Sequence, residues 1–336
     1  MNRLIYFGLG IIILFFLNKI SINTDYITVI VCAFIFPILF IFFLQRIDVF
    51  ERDELKDILY VFIFGCVASF ILSNLIYVPI RNMIVPENQC SDVMTCFFSV
   101  ALPEEIIKII PFIVVLKYRK FIDEPIDYLI YASASALGFA FIENIEYISS
   151  YSDLGSIVAT RSFLPLVMHM VTSSIFAFGI FLFINSKKIK YIFFGLIIAS
   201  ILHATYNALA IGFLILIFMI IYYSKLIQSL LNISPFYDES RENDIHSASN
   251  FLLYIIIAVL LLDFIYDIYH NGTAPVLENP VGYIFILIIP YAIYKIISSR
   301  LSLKKANFIA LGSRKSNFKI ILEMQNIIIS YYKKNT

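Results

Sequence analysis

Long runs of apolar residues, separated by short polar segments, dominate the hydrophobicity pattern of this chain. A helix needs about 17 to 25 apolar residues to cross the hydrocarbon core of a bilayer. The runs of that length or longer are Leu4 to Ile20, Tyr26 to Leu44, Ile58 to Ile80, Phe97 to Leu116, Asp127 to Ser149, Ser162 to Ile184, Tyr191 to Tyr223, Phe251 to Tyr269 and Val281 to Ile297. This pattern predicts an all-α fold, a polytopic bundle of transmembrane helices.

The run from Tyr191 to Tyr223 is too long for one crossing. At 1.5 Å per residue it would form a helix of about 50 Å, whereas the hydrocarbon core is about 30 Å thick. Lys and Arg collect in residues 45–57, 117–125 and 185–190 and in the tail after Ser298. With the amino terminus inside, all of these segments face the cytoplasm only if the run crosses twice, turning near Asn207 to Gly212. We therefore predict about ten helices, with both termini in the cytoplasm.

Composition agrees with a membrane protein. Hydrophobic residues make up 60% of the chain and charged residues 15%, against about 45 to 50% and 25% in soluble domains. The formal net charge is +1, which gives no indication of nucleic-acid binding. Cys90 and Cys96 share a predicted outer loop, and the sequence leaves open whether they form a disulfide.

Charged residues interrupt the fourth run at Glu104, Glu105 and Lys108. Each ionised group at the centre of a membrane helix costs about 2.5 to 3.5 kcal/mol, so three in five residues need a reason. Lys108 is three or four residues from each glutamate and can pair with either, whereas the two glutamates point about 100° apart. Pro103 is expected to start or kink this helix. An ion pair that holds two helices together is the alternative to a functional site.

Acidic and imidazole groups on four predicted helices lie at one depth. On the predicted topology they are within roughly 6 to 12 Å of the outer surface. They are Glu104, Glu105, Glu143, His169 and His203. Each has a structural explanation when taken alone, such as a polar seam, a packing histidine or, for His203 with Asn207, a helix cap. Their common depth favours a functional cluster.

These residues also resemble the successive motifs of the PrsW family of bacterial intramembrane proteases. The similar segments are Glu104-Glu105-x-x-Lys108, Phe139-x-x-x-Glu143-Asn144, His169 after Arg161 and Ser162, and His203-x-x-x-Asn207. The likeness covers about residues 34–212. It extends more distantly to the CAAX prenyl proteases, which have His at the position of Glu143.

The resemblance implies a multi-pass protease of the bacterial cell membrane with a signalling role. Its substrate would be a membrane-anchored protein cut near the outer face, such as an anti-sigma factor in site-1 regulated proteolysis. The partners implied are this substrate and the lipid bilayer, with no nucleic acid. The catalytic residues implied are Glu104, Glu105, Lys108, Glu143, His169, His203 and Asn207.

Two mechanisms of hydrolysis remain open at this stage, one without a cofactor and one with a single zinc ion. In the first, Glu105 or Glu104 is the general base, and His203 and Asn207 stabilise the oxyanion. In the second, Glu143, His169 and His203 bind zinc, with Glu105 as base. The resemblance slightly favours the first, because the paired glutamates persist in the prenyl proteases.

On this interpretation the chain divides into five segments. Residues 1–57 form an amino-terminal transmembrane hairpin, 58–223 the catalytic transmembrane core, 224–250 a cytoplasmic loop, 251–297 a carboxy-terminal transmembrane hairpin and 298–336 a basic cytoplasmic tail. The competing function is an ion- or proton-coupled transporter, which also places Glu, Lys and His in a cavity. A scaffold or receptor is a third class, but it does not explain the common depth. The sequence does not identify the substrate or the oligomeric state.

Overall fold

The computed structural model describes residues 24–84, 90, 92–118, 122–148, 157–209, 212–241, 243–254 and 330. These residues form eight helices and no strand, so the all-α prediction is confirmed. The predicted number of about ten helices is not. The first predicted helix, most of the predicted hairpin 251–297 and nearly all of the tail 298–336 lie outside the described residues.

The helices follow one another with short connections. We number them in chain order. They are α1 (Thr24–Ile47), α2 (Leu55–Leu72, continued by Ser73–Tyr77 and Val78–Ile84), α3 (Val93–Cys96, continued by Phe97–Ala101 and Leu102–Tyr118), α4 (Pro125–Ile148), α5 (Ile157–Ser186), α6 (Lys190–Ala208), α7 (Gly212–Leu231) and α8 (residues 243–254).

Within the part of the chain that the structure describes, four segments are long and apolar enough to cross a membrane. They are Leu55–Met83, Pro125–Tyr147, Leu164–Ser186 and Lys190–Ala208. The long apolar run divides into α6, which ends at Ala208, and α7, which begins at Gly212, and both bounds lie within the turn predicted at Asn207 to Gly212. α7 continues beyond the predicted end at Tyr223 to Leu231, so part of the predicted loop 224–250 is helical.

Helix α4 lies at the centre of the bundle and is buried along most of its length. Small residues let α2 approach it closely. A Cβ atom added to Gly138 would collide with the backbone carbonyl of Phe62, and one added to Gly65 would collide with that of Ser135. This contact fixes the position of α4, which carries Glu143 five residues after Gly138.

Helices α2 and α3 each contain one π-helical turn. The turns are Ser73–Tyr77 and Phe97–Ala101, and each ends two residues before a proline, Pro79 or Pro103. A proline ring clashes with the carbonyl four residues earlier and removes one backbone hydrogen bond. In both helices the carbonyl four residues before the proline belongs to the π-helical turn. The wider backbone of this turn leaves room for the proline ring. Pro103 is the second residue of the α-helical segment Leu102–Tyr118, directly after a π-helical turn, which agrees with the expectation that it starts or kinks this helix.

The beginning of α3 is anchored in two ways. Asp92 is its N-cap, and Asp92 Oδ1 accepts a hydrogen bond from the Thr95 backbone N–H at 2.9 Å. Cys90 and Cys96 are joined by a disulfide bond. Because Cys96 is buried against Ala204 of α6, the first turn of α3 is held next to the helix that carries His203.

Candidate active site

Four helices, α3 to α6, bring six ionisable side chains into one network. These are Glu104, Glu105, Lys108, Glu143, His169 and His203. All except Glu143 are buried. The Glu143 side chain is 24% exposed, so it marks the side from which the network is reached.

Glu105 is held by two donors. Its Oε1 accepts a hydrogen bond from Lys108 Nζ at 2.5 Å and lies 2.9 Å from His203 Nδ1. The Glu105 and Lys108 side chains are both 0% exposed. Hydrogen bonds in which both groups are charged are the stronger kind. Glu105 is thus the central acceptor of the network, and it orients His203.

Lys108 also connects the two halves of the network. Its Nζ lies 2.8 Å from His169 Nδ1, and His169 Nε2 lies 2.7 Å from Glu143 Oε2. An ammonium group has hydrogens but no lone pair. Lys108 therefore donates to Nδ1, which assigns the ring hydrogen of His169 to Nε2, where it is donated to Glu143.

Glu104 has different surroundings from its neighbour Glu105. His203 Nε2 lies 3.6 Å from Glu104 Oε2, and this buried oxygen has no hydrogen-bond partner among the described residues. The Tyr77 side chain faces the carboxyl group within hydrogen-bonding range. Sequence reasoning missed Tyr77. The sequence does contain a signal for Tyr77. Pro79, two residues later, favours a π-helical turn at this place in the helix.

Aromatic rings enclose the network. The Phe139 and His169 ring centroids are 5.4 Å apart, and Lys108 Nζ lies 5.3 Å from the Phe139 centroid. The His169 and His203 rings meet edge to face at 5.2 Å. Phe139 thus provides an apolar and cation-attracting surface beside the charged groups.

Three of the residues fit a metal ion. Ligand atoms of Glu104, His169 and His203 lie within 4.8 Å of one another, and all three side chains are buried. Two histidines and a glutamate are a donor set that zinc takes in peptidases. The unpartnered Glu104 Oε2 fits such a role, as does the His203 Nδ1 contact with Glu105, since metal-bound histidines usually donate through the other nitrogen. His169 has partners at both nitrogens, so it would exchange one of them for the ion.

The zinc ligands suggested by the sequence were Glu143, His169 and His203, with Glu143 in place of Glu104. In the structure Glu143 Oε2 accepts a hydrogen bond from His169 Nε2, and the Glu143 side chain is partly exposed. Asn207, one helical turn after His203, is exposed, and no described contact joins it to the network. Its role in stabilising an oxyanion stays a prediction.

Comparison with known proteins agrees with the geometry. A family model described as PrsW family intramembrane metalloprotease matches residues 54–228. Protease PrsW of Geobacillus kaustophilus (strain HTA426) is 31% identical over 168 residues, which is 49% of this chain and 72% of that protein. Protease PrsW of Oceanobacillus iheyensis (strain DSM 14371 / CIP 107618 / JCM 11309 / KCTC 3954 / HTE831) is 31% identical over 174 residues, 49% of this chain and 77% of that protein. No solved structure matches.

The matched segment contains every helix that contributes to the network, from α2 with Tyr77 to α6 with His203. The predicted carboxy-terminal hairpin and tail lie outside it. The chain has apolar helices long enough to cross a membrane and a buried cluster of carboxylates and imidazoles. Residues 54–228 match the family model, and two proteins of the family are 31% identical to this chain. We conclude that this chain belongs to the PrsW family of intramembrane proteases.

Proposed function

We propose that this protein hydrolyses a membrane-anchored protein at the network of Glu104, Glu105 and His203. The observation that supports this is the contrast between the two glutamates. Glu105 Oε1 is held by both Lys108 and His203, whereas Glu104 has neither of these hydrogen bonds, and its Oε2 lies 3.6 Å from His203 Nε2. Oε2 of each glutamate is buried without a hydrogen-bond partner among the described residues. A carboxylate with an unoccupied oxygen next to an imidazole is suited to take a proton from a water molecule.

In this mechanism Glu104 is the general base. It removes a proton from water as the oxygen attacks the peptide carbonyl, and it returns the proton to the departing amine. Glu105 positions His203 instead of reacting itself. By accepting the hydrogen bond from His203 Nδ1, it directs Nε2 toward Glu104 and the reacting atoms.

Glu104, His169 and His203 are the residues that would hold a zinc ion, which would act when bound as a Lewis acid on the carbonyl of the scissile peptide. In that version Glu143 is the carboxylate left to take the proton from water, because Glu104 is occupied. The side chain of Glu143 is the one part of the network with appreciable exposure, which gives a water molecule access to it. Glu105 keeps the same positioning role in both versions.

The site of cleavage follows from the position of the network in the helices. Glu143 is five residues before the end of α4 at Ile148, and His203 is five residues before the end of α6 at Ala208. At 1.5 Å per residue both lie within about 8 Å of these helix ends. The distribution of basic residues assigns these ends to the outer face, so the substrate is cut near that surface. An anti-sigma factor is the substrate class that family resemblance favours.

The test uses full-length protein in liposomes together with a single-span membrane protein, labelled on its outer segment. The first substrate to try is the single-span protein encoded nearest to the gene for this chain. We expect wild-type protein to release the label, Glu104→Gln to reduce release at least about 10²-fold, and the exposed control Glu54→Gln to retain it. Mass spectrometry of the products locates the bond that is cut.

Proton and solute flux is measured in the same liposomes. Flux without cleavage of any tested substrate would support the transporter instead. Full cleavage by a protein in which both Glu104 and Glu105 are Gln would refute the proposed chemistry.

A further inference from the structure

A second cluster of buried acidic residues lies away from the proteolytic network. One carboxylate oxygen from each of Asp48, Asp53 and Asp127 lies within 4.8 Å of the others. These residues come from the connection between α1 and α2 and from the first turn of α4, and they are 0%, 8% and 1% exposed. Glu124, 1% exposed, brings a fourth carboxyl group against Asp48.

No basic side chain of the described residues forms an ion pair with these carboxylates. Arg241 donates to the Val49 backbone carbonyl at 3.0 Å and pairs with Asp244 instead. Arg52 is exposed, and its charge acts on Asp48 from a distance, without a salt bridge between them. The basic groups near the cluster are therefore too distant, or otherwise engaged, to neutralise it.

Several buried acceptors in the cluster lack a donor. Asp48 Oδ1 and Glu124 Oε1 have no hydrogen-bond partner among the described residues, and the Asp48 and Glu124 carboxyl groups lie against each other. Glu124 is also close enough to Asp127 for the two charges to act on each other, and the Tyr131 hydroxyl lies beside Asp53. Ionised groups in such surroundings cost several kcal/mol each unless a counter-charge is present.

We propose that Asp48, Asp53, Asp127 and Glu124 form a binding site for a divalent cation that takes oxygen ligands, such as Ca²⁺ or Mg²⁺. These ions bind carboxylate oxygens at about 2.0 to 2.6 Å, so ligands on opposite sides of the ion are about 4 to 5 Å apart. The Asp48, Asp53 and Asp127 oxygens lie within 4.8 Å of one another, so a single ion can reach all three. Zinc in proteins prefers sites with His or Cys, and this cluster contains neither.

The cation site is separate from the proteolytic network. Asp127 is in the first turn of α4 and Glu143 is near its other end, so the two lie about 24 Å apart along the helix. On the topology predicted from loop charges, this end of the bundle faces the cytoplasm. The inference does not depend on the chemistry proposed for the protease.

A bound cation would join three distant parts of the chain. Asp48 and Asp53 lie in the connection between α1 and α2, and Asp127 lies in the first turn of α4. Ser234, after the end of α7, donates a hydrogen bond to Glu124. The cation would therefore hold the α1–α2 connection, the start of α4 and the segment after α7 together, and its expected effect is on stability.

Shared protons are the alternative source of neutralisation. Without a cation, removal from water raises the pKa of Asp53 to about 8 and that of Glu124 to about 9. Protonated carboxyl groups can hydrogen-bond to one another and would need no ion. The two alternatives differ in their response to added cations at constant pH.

Terbium luminescence tests the proposal on purified full-length protein in detergent. Tb³⁺ replaces oxygen-ligated divalent cations, and nearby tyrosines sensitise its emission. Tyr131 contacts Asp53, so bound Tb³⁺ should emit strongly on tyrosine excitation. We expect saturable binding of one ion per chain, displaced by Ca²⁺ or Mg²⁺. Asp53→Asn should weaken it at least tenfold, and the exposed control Glu54→Gln should not change it.

Two further variants keep the result interpretable. Glu104→Gln should leave terbium binding unchanged, which excludes the proteolytic network as its source. Asp53→Asn removes a charge from a repulsive cluster and keeps the shape of the side chain, so it should fold; Glu124→Gln provides a second test. Ca²⁺ or Mg²⁺ should raise the thermal unfolding midpoint of wild-type protein and have little effect on Asp53→Asn, because a ligand stabilises only the state that binds it.

Some outcomes would overturn the proposal. One is the absence of saturable terbium binding. Another is terbium binding, or a stabilisation by cations, that is the same in wild-type protein and Asp53→Asn. An unfolding midpoint that depends on pH but not on either cation would assign the cluster to shared protons.

Discussion

The Glu105 carboxylate accepts a hydrogen bond from the Lys108 ammonium at 2.5 Å, and neither side chain has any exposed surface. Glu104, one residue earlier, points about 100° away on the same helix. Among the described contacts it forms no ion pair with Lys108, and Oε2 of each glutamate is buried without a hydrogen-bond partner among the described residues. Two adjacent glutamates therefore differ in their surroundings: one is held in a buried ion pair, and the other is not.

The first prediction separates these two glutamates. Glu104→Gln should abolish proteolysis and leave the thermal unfolding midpoint nearly unchanged, because it breaks no ion pair. Glu105→Gln should also reduce activity, and it should in addition lower the midpoint, because it leaves Lys108 buried without its counter-charge. The cost of breaking a buried pair in this way is about 3 to 5 kcal/mol. Equal midpoints for the two variants would contradict the assignment.

The second prediction concerns the coupling of Lys108 and Glu105. Lys108→Met should destabilise the protein by about 3 to 5 kcal/mol, since the Glu105 charge then has no ammonium partner. The double variant Lys108→Met, Glu105→Gln should recover part of that loss, although not activity. Unfolding measurements on the four proteins form a double-mutant cycle. Additive losses would show that the pair is not coupled.

The third prediction concerns Tyr77. Tyr77→Phe removes the hydroxyl that faces Glu104 and keeps the ring in place. The loss of one hydrogen bond is about 0.5 to 1.5 kcal/mol, so the cleavage rate should fall roughly two- to tenfold, with little change in stability. Tyr118→Phe is the matched control, since Tyr118 is 70% exposed. An unchanged rate in Tyr77→Phe would exclude a contribution from this hydroxyl.

The fourth prediction tests which residues hold zinc. The convergence of Glu104, His169 and His203 predicts that zinc retained by the purified protein is lost in His203→Ala and Glu104→Gln and kept in Glu143→Gln. A chelator should then inhibit the wild-type protein reversibly. If Glu143→Gln lost zinc and Glu104→Gln retained it, the ligands would be those that the sequence suggested, with Glu143 beside the two histidines. Active protein that contains no zinc and is unaffected by chelators would leave the glutamate-only version.

The fifth prediction concerns packing at α4. Gly138→Ala places a methyl group against the Phe62 carbonyl and within 2.7 Å of the Cys66 backbone nitrogen. Because both contacts are with backbone, α2 must shift, at a cost of about 1 to 3 kcal/mol. Gly195→Ala is a milder control, since its closest contact is at 3.2 Å. A Gly195→Ala variant that is less stable than Gly138→Ala would contradict the close approach of α2 and α4 at Gly138.

Much of the fold was predictable because span length is set by the bilayer. The excessive length of the run from Tyr191 to Tyr223 predicted two helices, and the structure has one that ends at Ala208 and another that begins at Gly212. The end of α7 was not predictable in the same way. Polar Lys225 and Gln228 interrupt the apolar run, yet Leu226 and Ile227 between them and Leu230 after them are buried in the core. A continuous apolar run predicts where a helix crosses the membrane, but it does not predict how far an amphipathic helix continues beyond that run.

The residues of the site were predictable from their common depth, but the pairs within it were not. Sequence spacing allowed Lys108 to reach Glu104 or Glu105, and the structure pairs it with Glu105. Glu143 was predicted as a ligand beside His169 and His203. It lies on the other side of His169, because the rotation of each helix depends on its packing against others.

The π-helical turns explain why Tyr77 was missed. Regular spacing of 3.6 residues per turn assigns helix faces correctly only while the helix stays regular. Both turns precede a proline, and Pro103 was noted only as a possible start or kink of its helix. The same consideration applied to Pro79 would have placed a distortion at residues 73–77, where Tyr77 contacts the site.

The turn at Phe97–Ala101 also has a consequence for insertions and deletions in this part of the gene. A π-helical turn accommodates one residue more than an α-helical turn of similar height. Deleting one residue there would restore a regular helix and leave the segment that begins at Leu102 in the same orientation relative to Cys96. Deleting one residue from a regular α-helical segment would instead rotate all that follows by about 100°, which equals the angle between Glu104 and Glu105. The π-helical turn is therefore the place in α3 where the number of residues between the disulfide and the glutamate pair can fall by one without exchanging the directions of the two glutamates.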